Sequence, residues 1–262
     1  MQGLYEFHGQ PWNPALLELA ALGTIADLVP LVDENRYLVQ QGLIELSQTQ
    51  RPGLNAVYRR ARVEKKAIDA ETISFQISPR INSAGRMGSA HDAYRLLTTH
   101  SIEEAETLAD LLEGLNHNRR AASQGAYALA MEHIEQRYSG GPMPAILFVA
   151  DSGIAPGVAG LVAGRLVDTY HRPAVAMSLH GNYAVASGRS IPQFDIASAL
   201  DSCKDLFVKH GGHSQAAGFT ISMKDIPRME EALTQAAKFS LDSADLEPSL
   251  TIDCLLYTSP SP

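Results

Sequence analysis

A break at Gly140-Gly141-Pro142 divides this chain into two stretches of different texture, and that contrast limits the architectures open to it. Glycine and proline in series end a helix and restart the chain in a new direction. Beyond the break, Ala145–Ala150, Ala174–Leu179, Tyr183–Ser187 and Ala216–Ser222 read as strands, while Val158–Tyr170, Ile196–His210 and Ile226–Phe239 read as helices. Strands alternating with helices bury a sheet against helical layers, so this part is expected to be an α/β domain.

Before the break the pattern is mostly helical. Pro14–Leu31 reads as a short helix leading into a buried strand that stops near Asp27 and Pro30. Amphipathic helices are expected at Glu34–Ser47 and Leu54–Arg62, and a third, capped by Asp69, is expected to end before Pro79. Ser78–Ser89 (SPRINSAGRMGS) reads as a loop. Ser101 and Glu104 fit a capping box at the head of a long charged helix that runs to about Tyr138.

The expected organisation is a first lobe over 1–100, a connecting helix over 101–140 and the α/β domain over 141–245. The start of a further domain is expected over 246–253, where SLTID reads as a first strand. Residues 254–262 (CLLYTSPSP) do not continue that pattern and are expected to be a non-native tail.

Charge argues at first against a nucleic-acid partner. The formal net charge is −8, and the acidity is not segregated: 13 Lys/Arg stand against 17 Asp/Glu up to Gly140, and 8 against 12 after it. Any phosphate contact must therefore come from a few locally placed arginines, since there is no general basic surface. Composition by itself favours a small-molecule enzyme. Cys203 and Cys254 are too few for a disulfide framework or a cysteine metal site. No apolar run approaches ~18 residues and no basic segment precedes an apolar one, so a membrane span and a secretion signal are not expected and the cytoplasm is.

Four segments carry candidate chemistry. In Gly23–Leu31 (GTIADLVPL), Asp27 at a strand end offers a hard oxygen ligand suited to Mg²⁺ or Mn²⁺, although a turn or helix-cap aspartate gives the same letters. In Pro79–Gly88 (PRINSAGRMG), Arg80, Asn82 and Arg86 suit a loop that grips phosphate oxygens, because guanidinium is a fork of donors and glycine lets backbone approach an anion; a solvated surface loop is equally compatible. In Ser187–Ser190 (SGRS), Ser187 and Arg189 lie two apart on an extended segment and point the same way, so both can reach one phosphate; an ordinary polar strand end gives the same letters more readily. In GGHSQAAG, Gly211 and Gly212 at a helix end permit close backbone approach, and His213 can donate to phosphate or shuttle a proton; a glycine C-cap with an ordinary histidine explains the same pattern.

In the order GTIADLVPL, PRINSAGR, SGRS and GGHSQAAG, these segments resemble the RecJ family of the DHH phosphoesterase superfamily, from about residue 15 to residue 253. The resemblance implies an α/β fold made of the C-terminal part of a DHH domain, a long connecting helix and a DHH-associated domain with a mixed sheet. It implies an exonuclease that hydrolyses single-stranded DNA from the 5′ end to mononucleotides in DNA repair and recombination, with two Mn²⁺ or Mg²⁺ ions. Asp27 then matches a metal ligand; Arg80, Asn82 and Arg86 match a segment facing the cleft; and Ser187, Arg189 and Ser190 match a 5′-phosphate segment. Gly211, Gly212 and His213 match a glycine-histidine motif at the cleft, His213 being the catalytic candidate. Asn116, Arg119 and Arg120 fall on the part resembling the connecting helix. A helicase or single-strand-binding protein stays open as a further partner.

Two departures stand out. Many relatives carry Trp-His where this chain has Ile154-Ala155 before Pro156-Gly157. The chain also contains no Asp-His-His, so the resemblance implies that most metal ligands lie upstream and that these residues alone are close to inactive. An oligonucleotide or cyclic-dinucleotide phosphodiesterase, and a non-catalytic nucleic-acid-binding relative, remain alternatives.

Overall fold

A computed structural model of the chain describes residues 2–11, 13–243 and 245–250. They fall into two compact units, Met1–Ala121 and Ala122–Pro262. Unit 1 is helical, with α1 (Gln2–Phe7), α2 (Leu16–Ala26), α3 (Asp33–Ser47), α4 (Pro52–Ala61), α5 (Ala70–Thr72), α6 (Ser78–Met87) and α7 (Ala90–Thr98). The long helix α8 (Ile102–Tyr138) begins in this unit and continues into the next. Its first turn is capped as expected: the Glu104 amide donates to Ser101 Oγ at 3.2 Å. Ala105, Leu108, Ala109 and Leu112 then form a buried stripe at helical spacing in a core with Leu46, Leu54, Ile73, Ile77 and Leu96.

Two expectations for unit 1 are corrected. The segment ending at Ala26 is helix throughout, with no strand before Asp27. A short apolar run cannot be told from a strand by composition, and packing decides here. Glu18, Ala21, Leu22 and Ile25 share one buried face. Gly42 of α3 lets that face come close, since a Cβ there would stand 2.3 Å from Ala21 Cβ. The presumed loop Ser78–Ser89 is the helix α6, and the segment capped by Asp69 does not stop at Pro79. It passes through a π-helical turn, Ile73–Ile77, into α6, where Pro79 occupies a first-turn position that needs no amide. Small Ser83 and Ala84, both fully buried, seat α6 on α8, and Ser83 Oγ donates to the Leu112 carbonyl at 3.2 Å. Close packing overrides the weak helix propensity of Asn82, Ser83 and Gly85.

Unit 2 holds a five-stranded mixed sheet in the order β1-β2-β3-β5-β4, as the alternating texture leads one to expect. Its strands are β1 (Leu147–Asp151), β2 (Ala174–His180), β3 (Tyr183–Arg189), β4 (Phe207–His213) and β5 (Ala216–Ser222); β1 and β2 are parallel and the rest antiparallel. One face is covered by α9 (Pro156–Tyr170), whose Val158, Ala159, Val162, Ala163 and Leu166 are buried. The other face forms a core with α10 (Ile196–Asp201) and α11 (Ile226–Ser240), through Phe148, Met177, Ile196, Phe219, Met229 and Leu233.

The helix expected over Ile196–His210 is corrected: it ends at Asp201, and β4 follows at Phe207. Without β4 the backbone groups of β5 would lack their outer partner. The expected strand SLTID continues past Leu250, and the tail Cys254–Pro262 lies wholly beyond it, outside the described residues. Among the described residues no helix is long and apolar enough to cross a membrane.

Candidate functional site

In unit 2 the topology brings the two strongest polar motifs side by side. Register aligns Ser187 of β3 with Gly218 of β5 and Gly211 of β4, and one step on aligns Arg189 with Ala216 and His213. Side chains two apart on a strand share a face, so SGRS and GGH present Ser187, Arg189, Gly211 and His213 across three adjacent strands. Beside Ser187 and Gly211 runs an open trough of about 430 Å³, with Ser187, Lys209, Gly211, Gly218 and Thr220 among its lining residues; Arg189 and His213 stand at the next register pair on that face, beyond this lining. Glycine forms the floor of the trough in two neighbouring strands, so a ligand can approach bare backbone there.

The two glycines of the motif differ in what holds them. A Cβ at Gly212 would stand 2.4 Å from the Ala216 carbonyl oxygen and 2.5 Å from Ala217 Cα, whereas one at Gly211 would meet nothing within 4 Å. Gly212→Ala is therefore expected to destabilise unit 2 by about 2 kcal/mol, because rigid backbone must move. Gly211→Ala is expected to leave the melting temperature within a degree or two while weakening binding of any ligand seated in the trough about tenfold, a methyl now standing there. Thermal melting and fluorescence anisotropy on both variants check this; equal melting losses would place both glycines in the fold alone.

These glycines do not end a helix, contrary to the sequence expectation; they lie within the edge strand β4. SGRS likewise lies inside or directly at the end of β3, with Ser187 and Arg189 in the strand. Ser190 differs from its neighbours. It is buried and donates from Oγ to the Phe194 carbonyl at 2.6 Å, so its side chain fastens the turn after β3. The histidines of β4 also divide. His210 Nε2 is tied back to Asp201 Oδ1 at 2.8 Å, while His213 is exposed at the end of the strand.

In unit 1, α6 separates the residues of PRINSAGR. Arg80 is turned onto α8: its Nε donates to Glu113 Oε2 at 2.6 Å, and its Nη1 to the Gln76 carbonyl at 2.6 Å. That carbonyl lies in the π-helical turn, where widened winding leaves backbone oxygens for other donors. Asn82 and Arg86, four apart, are exposed on one face of the same helix. Arg86 and Arg120 both press on Arg119, whose guanidinium is held below its ordinary pKa, first by burial and then by those two like charges. Arg119 also donates to the buried Asn116 Oδ1 at 3.0 Å. Arg86, Arg119 and Arg120 are thus near enough to act on one another electrostatically in a chain of net charge −8.

Asp27 follows the last residue of α2, exposed, with its amide donating to the Gly23 carbonyl at 3.0 Å. It is thus a helix-end aspartate, next to a Leu28 in left-handed backbone at φ 55°. Among the described residues no group of three or more His, Cys, Asp or Glu side chains could hold a metal ion. A two-ion centre needs several oxygen ligands per ion, so the described residues do not fit such a centre by themselves. A cavity of about 530 Å³ in unit 1, beside Glu18, Arg51 and His100, contains none of the motif residues.

Sequence reasoning missed Lys209 and Thr220. Lys209 is exposed along the trough, and Thr220 Oγ1 is buried with no hydrogen-bond partner among the described residues. Phe207–His213 (FVKHGGH) does not alternate, so nothing in its own residues marked it as a strand.

Residues 143–239 match the family model described as the DHHA1 domain. The chain is 38% identical over 240 residues to the single-stranded-DNA-specific exonuclease RecJ of Bacillus subtilis, a match that covers 91% of this chain and 30% of that protein. Crystal structures of Thermus thermophilus RecJ are similar in fold: the complex with Mg²⁺ has a TM-score of 0.80 at 30% identity, covering 91% of this chain and 37% of that one. The complex with Mn²⁺ has a TM-score of 0.80 at 31% identity, covering 91% and 35%. With its match to the DHHA1 domain model, its mixed sheet and its likeness over nine-tenths of its length, the chain is similar to RecJ proteins and spans about a third of the length of the relatives it matches.

Proposed function

We propose that this chain is the strand-gripping part of an exonuclease that degrades single-stranded DNA from a 5′-phosphorylated end. The observation that carries the reading is the register of β3, β5 and β4, which sets Ser187 level with Gly211 over an open glycine-floored trough and Arg189 level with His213 further along the same strands. Arg189 supplies a charged fork for a terminal phosphate, Ser187 a hydroxyl, and His213 a ring N–H donor or a proton. Lys209 lies where a following phosphate would pass. The Arg86, Arg119 and Arg120 patch of unit 1 offers a second phosphate contact, and Arg80 supports it by pinning α6 to α8.

Residues 1–100 belong in this reading to the catalytic lobe, 101–140 to the connecting helix and 141–245 to the substrate-gripping domain. Asp27 contributes one oxygen ligand to a divalent-ion centre whose remaining ligands lie outside the described residues. Mn²⁺ or Mg²⁺ supplies the hydrolytic chemistry in the whole enzyme, and the chain alone binds without cutting.

The test compares 20-mer oligothymidylates with 5′-phosphate and 5′-hydroxyl ends at low salt. The 262-residue chain is expected to bind the phosphorylated strand more tightly. Affinity for both should fall as salt rises, with a log–log slope of about −0.7 per phosphate contacted. No mononucleotide should appear with added Mn²⁺. Equal affinity for the two ends would overturn the 5′-phosphate reading, and robust metal-dependent digestion would overturn the assignment of the chain as a gripping part only.

A further inference from the structure

We infer that Gly160, in the opening turns of α9, is a positioning residue that sets where the Arg189 guanidinium stands; the inference rests on the reading of Arg189 as a phosphate-binding group. Glycine inside a helix costs about 1 kcal/mol relative to alanine, so a helical glycine facing neither a turn nor a neighbouring backbone calls for a local reason. At Gly160 the reason is a guanidinium. A Cβ there would lie 2.7 Å from Arg189 Nη2, 3.3 Å from Cζ and 3.6 Å from Nη1. Gly164, one turn further along α9, has nothing within 4 Å of the same position.

The missing methyl leaves room for the guanidinium to stand against the helix, Nη2 nearest. Its opposite edge is held as well, because Nη1 donates to the Gly188 carbonyl at 2.8 Å. Arg189 is thus wedged between the backbone of its own strand and the surface of α9. Arginine otherwise carries about 2 kcal/mol of rotamer freedom, and a fork held in one place loses less of it on meeting an anion. A methyl at Gly160 would displace the end of a flexible side chain and not rigid backbone. The fold survives that change, and the direction of the fork does not.

The experiment uses the 262-residue chain without metal and reads two quantities: the affinity ratio for 5′-phosphate over 5′-hydroxyl oligothymidylate, and the Arg189 Nε–H NMR signal, identified by its loss in Arg189→Ala. Gly160→Ala is expected to melt at or slightly above the parent temperature, to shift the Nε–H signal, and to cut the affinity ratio roughly tenfold, since misplacement near 1 Å is enough for losses of that order. Gly164→Ala should change neither reading. Adding Gly160→Ala to Arg189→Ala should cost nothing further.

An unshifted signal and a full ratio in Gly160→Ala, with Arg189→Ala still abolishing the ratio, would overturn the positioning role and leave the Arg189 reading standing. Equal ratios in the parent and Arg189→Ala would remove the Arg189 reading and this inference with it, before Gly160 is touched.

Discussion

Arg51→Ala is expected to lower the stability of unit 1 by about 3–5 kcal/mol, the usual cost of stripping a buried ion pair of one partner. The Glu18 side chain is only 4% exposed, and Arg51 Nε meets its Oε2 at 2.7 Å. The same guanidinium donates to the Ala15 and Leu97 carbonyls, both at 3.3 Å, so one truncation leaves three acceptors short of a donor. Burial pushes the Glu18 carboxyl above the usual carboxylate range, while Thr49 and Arg51 pull it back down. The sign of the pH dependence follows. A carboxyl raised in the folded state holds its proton to higher pH than in the unfolded chain, so its contribution is most favourable at low pH and is lost as pH rises through the folded value.

Removing Arg51 raises that value further. The deficit of Arg51→Ala against the parent is therefore expected to be widest near pH 7 and to narrow towards pH 4.5, as Glu18 takes up its proton. Urea unfolding at the two pH values measures it. A deficit that stays constant would mean that the lost contacts to Ala15 and Leu97 dominate and the charge does not.

Arg189→Ala is expected to weaken binding of a 5′-phosphorylated single strand about 10- to 150-fold, the equivalent of a charged hydrogen-bonded contact of about 1.5–3 kcal/mol, while leaving a 5′-hydroxyl strand almost unaffected. The difference should shrink as salt rises, because one phosphate contact contributes about 0.7 to the salt slope on single strands. Arg189→Lys keeps the charge and loses the fork, so it is expected to fall between the two. Equal losses on both kinds of end would make Arg189 a general backbone contact and move recognition of the terminal phosphate elsewhere.

Much of the architecture was legible in the residues. Ser101 and Glu104 mark the head of α8, and Ala216–Ser222 coincides with β5. These signals are local: a cap, a breaker or a period acts within a few residues, and the chain carries it wherever it goes. PRINSAGR was misread because Asn, Ser and Gly look like a loop until Ser83 and Ala84 are seen seated on α8. Phe207–His213 was misread because an edge strand is defined by the partner it pairs with, Ala216–Ile221, and not by its own period.

The amino-acid sequence alone determined the family motifs, the α/β class of the second half and the need for a few well-placed arginines in an acidic chain. Only the tertiary structure decided what each of those arginines meets. Arg80 is spent on Glu113, Arg86 joins Arg119 and Arg120, and Arg189 is wedged against Gly160. The physical reason is that the groups a guanidinium meets, such as Glu113 for Arg80 and the Gly160 position for Arg189, are distant in sequence and reach it only once the chain has folded.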